Sequence, residues 1–456
     1  MTTTSGATGA RVSATRQPLI EAGPGGALPP LPRTAWLEID LDALVSNVRL
    51  LAGLLPPGVR VEPVVKADAY GHGAVAVARA LVADGIGSLG VATFDEALEL
   101  RQAGIEVPLV VLFPIPPELA PDAREHALSI TLGDGQLLDR TLAALDAAAG
   151  AAGASGNGGG RLAIHLEVET GLGRGGVHPD EAAAAAAAIA ANPRARLAGL
   201  WSHLQAAGDA GRTAAQDARF GVAAGLLEGA GVTLPARHLA ASGGLLAATA
   251  GTYDVVRIGL AGYGIVPDGL DVAGRNLTAA ADLRPVMSLR ARPIRVAWLE
   301  AGSGVSYGPT FTTARRSCVV TLPLGYADGI PRSLSNKLEV LVRGVRAPQV
   351  GTVAMDALMV DVTDVPGPAV TIDDTFTLIG EQGEGRISAL EVAQWSNTIS
   401  YEVVTAMSGR LPRVYYAAAE AVGMRAVACD ASRGSGRLDD RSGKSSLEEP
   451  ASTGRD

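Results

Sequence analysis

The sequence predicts an α/β protein in which an N-terminal (β/α)8 TIM barrel is followed by a mostly β C-terminal domain. Three observations predict it. Eight short apolar runs, RVEPVV, GSLGVA, PLVVLF, LSITLG, LAIHLEVE, LAGLWSHL, ARHLAAS and VVRIGLAG, alternate with helical patterns. Eight such repeats over roughly 220 residues match a (β/α)8 barrel in count and length. After about residue 275 the texture changes to β-like segments broken at Gly, Asp and Pro, among them CVVTLPLGY, LEVLVRGVRAPQVG and MDALMVDVTD. An open doubly wound sheet is the alternative for the first part. The GxGxxG fingerprint after a first strand is missing, which argues against a dinucleotide site.

Composition narrows the function classes. At 456 residues the chain is long enough for two domains and a large core. Its formal charge of −9, without a basic run, does not suggest nucleic-acid binding. Cys318 and Cys429 are the two cysteines, too few for a disulfide framework and compatible with a reducing cytoplasm. No apolar stretch has the length of a membrane span, and the N-terminus lacks the apolar core of a secretory signal. Six histidines occur without metal-ligand spacing, so no metal is expected.

In chain order, residues 1–33 read as a disordered leader rich in Thr, Gly, Ala and Pro. Order is expected from Thr34. TAWLEID alternates like a strand, and Asp40 is placed to cap the helix LDALVSNVRLLAGLL. The barrel domain is assigned to residues 34–275, with a flexible Gly/Ala/Ser insertion over 146–160. Residues 276–425 form the β-rich domain, including one helical stretch, SALEVAQWSNTISYEVVTAMSG, which Leu411-Pro412-Arg413 stops. Residues 426–456 read as a disordered tail.

Polar side chains collect at the C-terminal ends of the barrel strands, where α/β folds place their chemistry. Lys66 ends the first strand and is followed by the turn ADAYGHG, whose Gly71 and Gly73 accommodate φ > 0. Tyr70 follows four residues on. The fifth strand leads to Arg174 in a Gly-rich loop, and the sixth ends in Trp201-Ser202-His203. The seventh ends in Ala241-Ser242-Gly243-Gly244 before a helix, and the eighth carries Arg257, Gly259 and Leu260. Ser-Gly-Gly at a helix start, beside another Gly-rich strand end, suits a phosphate. Each residue has a plainer role open to it: a solvated loop lysine, a satisfied core histidine, an N-cap serine, a surface-paired arginine. A lysine and a phosphate cradle at one barrel mouth together suit pyridoxal 5'-phosphate held as a Schiff base.

The motifs PVVKADAYGHG, ETGLGRGG, WSHL, AASGG, DVVRIGLAGYG, GVSYGPTF, LPLGYADG, GTVAMD and NTISYEVVTAMSGRLPRVY, in this order over residues 34–420, resemble those of the alanine racemase family. The resemblance implies a pyridoxal-phosphate barrel with a β-domain in a head-to-tail homodimer with shared active sites. It further implies a cytoplasmic enzyme that interconverts L- and D-alanine and supplies D-alanine for peptidoglycan. Carried over, it makes Lys66 the cofactor lysine and the base toward the D-enantiomer. Tyr307 becomes the opposite base, acting on the L-enantiomer from the partner chain. Arg257 is expected to face the pyridine nitrogen, with His203 over the ring or bonded to Arg257 and Tyr307. Tyr70, Ser242, Gly259, Leu260 and Tyr401 are expected to hold the phosphate. Arg174 and the backbone of Met355 are expected at the substrate carboxylate, and Tyr326 at the entrance.

The chain departs from the family pattern in places. Glu167 stands where relatives often have a carbamylated lysine, and Ala354 where they often have Cys. AASGG replaces the commoner small-residue pair after the serine. Alternation puts His165, Glu167 and Glu169 on the inward face of their strand, and Arg174 is the natural partner of Glu167. The competing activities are a racemase of serine or broader specificity, a pyridoxal-phosphate decarboxylase, and a non-catalytic cofactor carrier. A decarboxylase of this layout uses a C-terminal cysteine motif and an acidic partner for the pyridine nitrogen, neither of which is seen here. Known carriers are a barrel alone, without a β-domain or a residue like Tyr307.

Overall fold

The computed structural model describes residues 19–23, 28–151 and 160–427. The remainder of the expected leader, the heart of the insertion and the tail from residue 428 onward lie outside the described residues. Two edges of those segments are more ordered than expected. Leu19–Glu21 forms strand β1, and residues 146–151 continue a helix rather than beginning a loop.

Asp40 caps α1 (Leu41–Ala52) as expected, its side chain accepting from Ala43 N at 2.8 Å. The preceding strand β2 (Ala35–Asp40) does not belong with the barrel. It pairs antiparallel with a strand at Met287–Ala291 and parallel with one at Arg413–Ala417, so the chain begins in the second domain before building the first. Both faces of β2 meet protein, which is why its alternation says little about which sheet it joins.

The barrel strands are the eight expected: β3 (Arg60–Pro63), β4 (Leu89–Val91), β5 (Leu109–Val111), β6 (Leu128–Leu132), β7 (Leu162–Glu167), β8 (Ala195–Trp201), β9 (Ala236–His238) and β10 (Val255–Ile258). β4 to β9 form one parallel sheet in sequence order, and β10 pairs parallel with β3. Parallel bridges Val64↔Gly90 and Ala241↔Arg257 close the ring. Helices α2 (Ala74–Ala83), α3 (Phe94–Gln102), α4 (Ala120–Glu125), α5 (Gly135–Ala151), α6 (Ala182–Ala191), α7 (Ala210–Gly229) and α8 (Ser242–Ala247) follow the strands. Their apolar faces cover strand residues such as Ile130, Ile164 and Leu166, all fully buried.

After the short α9 (Leu277–Ala281) come β11 (Met287–Ala291), β12 (Arg295–Leu299), β13 (Ser317–Leu322), β14 (Glu339–Val342), β15 (Val345–Val350), β16 (Leu358–Asp361), β17 (Phe376–Gln382) and β18 (Gly385–Ile387). With β1, β2, β19 (Arg413–Ala417) and β20 (Glu420–Arg425) they make one twelve-stranded sheet. The single helical stretch expected before residue 411 is two helices, α10 (Ala389–Ser396) and α11 (Ser400–Thr405). Asn397 takes a left-handed conformation (φ 60°) and Ile399 an extended one, and together they turn the chain between the helices.

Candidate active site

Lys66 follows Val65, whose N–H donates to Gly90 O of the neighbouring strand at 2.7 Å. What comes next is not an ordinary glycine turn. Ala67, Asp68, Ala69 and Tyr70 all have φ between 52° and 56°, one turn of left-handed backbone, before Gly71 (φ 81°) and Gly73 (φ 104°) complete it. Each non-glycine residue in that region costs about 1–2 kcal/mol, so the turn needs support from outside. Glu96 accepts from Ala67 N and from Ala92 N, both at 2.7 Å. Asp68 accepts from Ala74 N at 2.8 Å and is paired with Arg425 of β20. Arg413 of β19, itself 1% exposed, donates to Gly71 O at 2.8 Å. A Cβ at Gly73 would lie 2.0 Å from Tyr415 Oη, and one at Gly71 2.2 Å from Val404 O. The second domain thus grips the segment that carries Lys66. Glu96, Asp68, Arg413 and Arg425 were not singled out in the sequence, because partners so distant leave no local signal.

Lys66, Tyr70, Arg174, His203, Ser242, Arg257, Gly259, Leu260 and Tyr401 come together around one cavity of about 410 Å³. Tyr401 reaches it from α11, which Asp268 anchors to the barrel by accepting from Ser400 N and Ser400 Oγ, each at 2.6 Å. Burial, with Arg174 and Arg257 nearby, pushes the Lys66 amine below its ordinary range against the opposing pull of Glu96. Burial raises the Tyr70 and Tyr401 phenols, so both are neutral hydroxyls at physiological pH.

Arg257 is 3% exposed and is not a surface ion pair. It donates to Ser202 O at 2.8 Å, His238 O at 3.1 Å and Leu239 O at 3.2 Å. It also meets His238 Nδ1 at 2.6 Å and His203 Nδ1 at 3.2 Å, and it lies 4.7 Å over the Trp201 ring. Burial pushes His203 down to about 3, helped by the Arg257, Arg174 and Lys66 charges, so its ring is neutral and accepts from Arg257. His238 and His165, 3.0 Å apart in the barrel interior, are held neutral mainly by burial. His238 is a partner of Arg257 that sequence reading missed; its place midway along the seventh apolar run was the available signal.

Ser242 is the first residue of α8 rather than its cap, a position held by Ala241. Its Oγ accepts from Gly259 N at 3.0 Å and ties the seventh and eighth strand ends together. A Cβ at Gly259 would sit 2.6 Å from Tyr70 Oη and one at Gly243 3.0 Å from Ala207 Cβ, so this corner is shaped by backbone. Glu167 points into the barrel and reaches Arg174 at 3.5 Å, while Arg174 lies 5.1 Å over Phe113. Glu169 does not join it. Its carboxylate accepts from Gly171 N and, at 2.8 Å, from Gly173 N, because the strand has ended and the loop amides need acceptors.

Tyr307, Tyr326 and Met355 do not line this cavity. They are 74%, 45% and 52% exposed on the second domain. Thr352 Oγ1 donates to Tyr307 O at 3.0 Å, Tyr326 N to Ala354 O at 3.0 Å and Ala327 N to Met355 O at 3.1 Å, so hydrogen-bonded loops present all three. Among the described residues no cluster of His, Cys, Asp and Glu is arranged to hold a metal, and no helix is long and apolar enough to cross a membrane.

Comparison with known proteins agrees with this geometry. Residues 39–267 match the alanine racemase N-terminal domain and residues 286–415 the alanine racemase C-terminal domain. The alanine racemase of Desulfovibrio desulfuricans is 40% identical over 385 residues, covering 84% of this chain and 98% of that protein. That of Symbiobacterium thermophilum is 40% identical over 390 residues, covering 84% and 97%. The crystal structure of alanine racemase from Bacillus anthracis with bound L-Ala-P superimposes with a TM-score of 0.77 at 32% identity, covering 87% of this chain and 98% of that one. With both domains of one family in order, and whole alanine racemases aligning almost from end to end, this chain belongs to the alanine racemase family.

Proposed function

We propose that the protein is a pyridoxal-phosphate-dependent racemase that interconverts L- and D-alanine by two bases on opposite faces of the substrate, in a homodimer with shared sites. The observation that supports it best is the convergence of Lys66, Arg257, His203, Tyr70, Ser242 and Tyr401 on one cavity. These residues fit the cofactor: an amine to take its aldehyde, neutral hydroxyls and backbone amides for its phosphate, and a cation for its ring. When bound, pyridoxal phosphate supplies an electron-withdrawing ring that acidifies the substrate's α-carbon.

The chain's own residues do the rest. Tyr70, Ser242, Gly259, Leu260 and Tyr401 would hold the phosphate in the corner where a side chain at Gly259 would not fit. Arg257 would meet the ring nitrogen. A guanidinium does not give up its proton, so Arg257 would not protonate that nitrogen as a carboxylic acid would. Lys66, its amine made easier to deprotonate by its surroundings, removes or returns the α-proton on one face. Tyr307 of the partner subunit does so on the other, which would explain its exposure in a single chain. Arg174 and the partner subunit's Met355 backbone receive the substrate carboxylate, with Tyr326 of the partner subunit at the entrance. A D-alanine product suits a supplier of peptidoglycan precursor, and a chain with two cysteines suits a reducing cytoplasm.

The test is a racemisation assay of purified protein on a panel of L-amino acids, reading the D-product, beside the visible absorption of bound cofactor. Alanine should turn over fastest, and Lys66→Ala should lose both the band and the activity. A Lys66→Ala protein that racemises at the unsubstituted rate overturns the proposal.

A further inference from the structure

Glu62 lies in β3, is 4% exposed, and its Oε1 has no hydrogen-bond partner among the described residues. A buried carboxyl with one oxygen unbonded stays charged only with an opposite charge or another donor near it. Strand alternation puts Glu62 and Val64 on one inward face that leads up to Lys66, and Val64 and Lys66 line the cavity. Glu62 therefore sits in the layer beneath the cavity floor. β3 and β10 pair in parallel with Glu62 opposite Arg257, so the two side chains project to the same side of the ladder. Every hydrogen-bond partner of Arg257 is neutral: three carbonyls and two histidine nitrogens.

We infer that Glu62 is a positioning residue for the cofactor site, a buried counter-charge that holds the Arg257 guanidinium in place behind the cofactor's ring nitrogen. The inference rests on the proposed cofactor reading. Of the charged groups around Glu62, Arg257 acts on it most, through space rather than by direct contact. Arg60 on its own strand is exposed, Ser88 before β4 offers a hydroxyl, and β4 itself presents Gly90, where a Cβ would lie 3.8 Å from Glu62 Oε1. Farther round the barrel, His238 and His165 carry no charge. Burial raises the Glu62 carboxyl and lowers Arg257 to about 10, and each opposes the shift of the other. Burial favours the uncharged form of each group, and the opposite charge of the other resists it. Glu167 adds a second, weaker negative influence on Arg257 from the other side of the site.

Removing the Glu62 charge leaves the guanidinium with only the weaker influence of Glu167, less firmly held and more strongly positive toward the cavity. The experiment uses the loaded enzyme with Glu62→Gln. The ring-nitrogen NMR resonance of the bound cofactor should move, and the limbs of the kcat/KM pH profile should shift to lower pH by on the order of half a unit. The value of kcat should fall about tenfold while KM stays within about twofold, and Glu62→Asp should regain part of the loss. An unchanged resonance and pH profile in Glu62→Gln, even with lowered stability, make Glu62 a merely structural residue and overturn the inference. Should Glu62→Gln fail to fold, Glu62→Met is compared with Glu62→Met combined with Arg257→Met. Folding regained in the double variant upholds the pairing, and no gain over Glu62→Met alone overturns it. Absence of any cofactor band in the unsubstituted protein is a different failure: it overturns the cofactor reading and this inference with it.

Discussion

Arg413 Nε donates to the carbonyl oxygen of Gly71 at 2.8 Å, joining residues 342 apart in the chain. The same guanidinium donates to Ser408 O at 3.2 Å, Leu411 O at 3.1 Å and Met407 O at 3.0 Å. One buried cation from the second domain thus satisfies the end of the turn that carries Lys66 and the loop before β19. Arg413→Met would remove a donor from four carbonyls, of which Ser408 O keeps the Leu411 N–H. Its expected cost is about 3 kcal/mol of stability, read by denaturant unfolding, together with weaker retention of pyridoxal phosphate. A variant within about 1 kcal/mol of the parent that binds cofactor normally would show that the turn holds itself.

Asp68 carries a pH prediction. Burial alone would raise its carboxyl, but the Arg425 and Arg413 guanidinium groups and Ala74 N hold it below the ordinary carboxylate range. A depressed folded pKa contributes stability that is present above the unfolded value, about 3.9, and is lost as pH falls through the folded value. Unfolding measured from neutral pH downward should therefore show a steep loss below about pH 4. Asp68→Asn should be less stable at neutral pH and show a shallower acid limb. Parallel curves for the two proteins would remove Asp68 from the account.

Glu167 should behave in the opposite sense. Burial raises its carboxyl, and the partly exposed Arg174 at 3.5 Å offsets that only in part. A raised folded pKa means that stability is present below the ordinary carboxylate range and is lost as pH rises through the folded value. Glu167→Gln is accordingly expected to be as stable as the parent or more so at neutral pH, while binding alanine several-fold more weakly because Arg174 loses its orienting charge. With no lysine to carbamylate at this position, activity should not respond to added bicarbonate. Bicarbonate activation, or normal substrate binding by Glu167→Gln, would show that Arg174 is oriented by other groups.

Tyr307 is assigned to a neighbour's site, and two measurements bear on that. Tyr307→Phe should lose L-to-D conversion by about a hundredfold or more, in line with the loss of one general base, yet still exchange the α-proton of D-alanine with solvent through Lys66. Mixing Lys66→Ala with Tyr307→Phe and reassembling should restore activity, since one of the two sites in a mixed dimer is then intact. No recovery with heterodimers demonstrably formed would place Tyr307 in a different role.

Much of the barrel and of its mouth was legible in local pattern. The eight runs each became a barrel strand because a parallel strand covered on both faces is mostly apolar, a bias that most of the runs show without reference to the others. Lys66, His203 and Ser242 were found because the end of such a run is where side chains meet the site, whereas Arg257 lies within β10. Other features depend on contacts between distant parts of the chain. Strand β2 reads alike whichever sheet it joins, and its place beside β11 and β19 depends on hydrogen bonds to chain hundreds of residues away. The left-handed backbone from Ala67 to Tyr70 contradicts local preference, and it persists because Glu96, Arg413, Arg425 and Tyr415 converge on it from other elements. Glu62 looks like a polar misfit in an apolar strand until the register of β3 with β10 sets it opposite Arg257. In each case the local pattern reports what a residue must bury, while its partner is set by chain closure, which no local window contains.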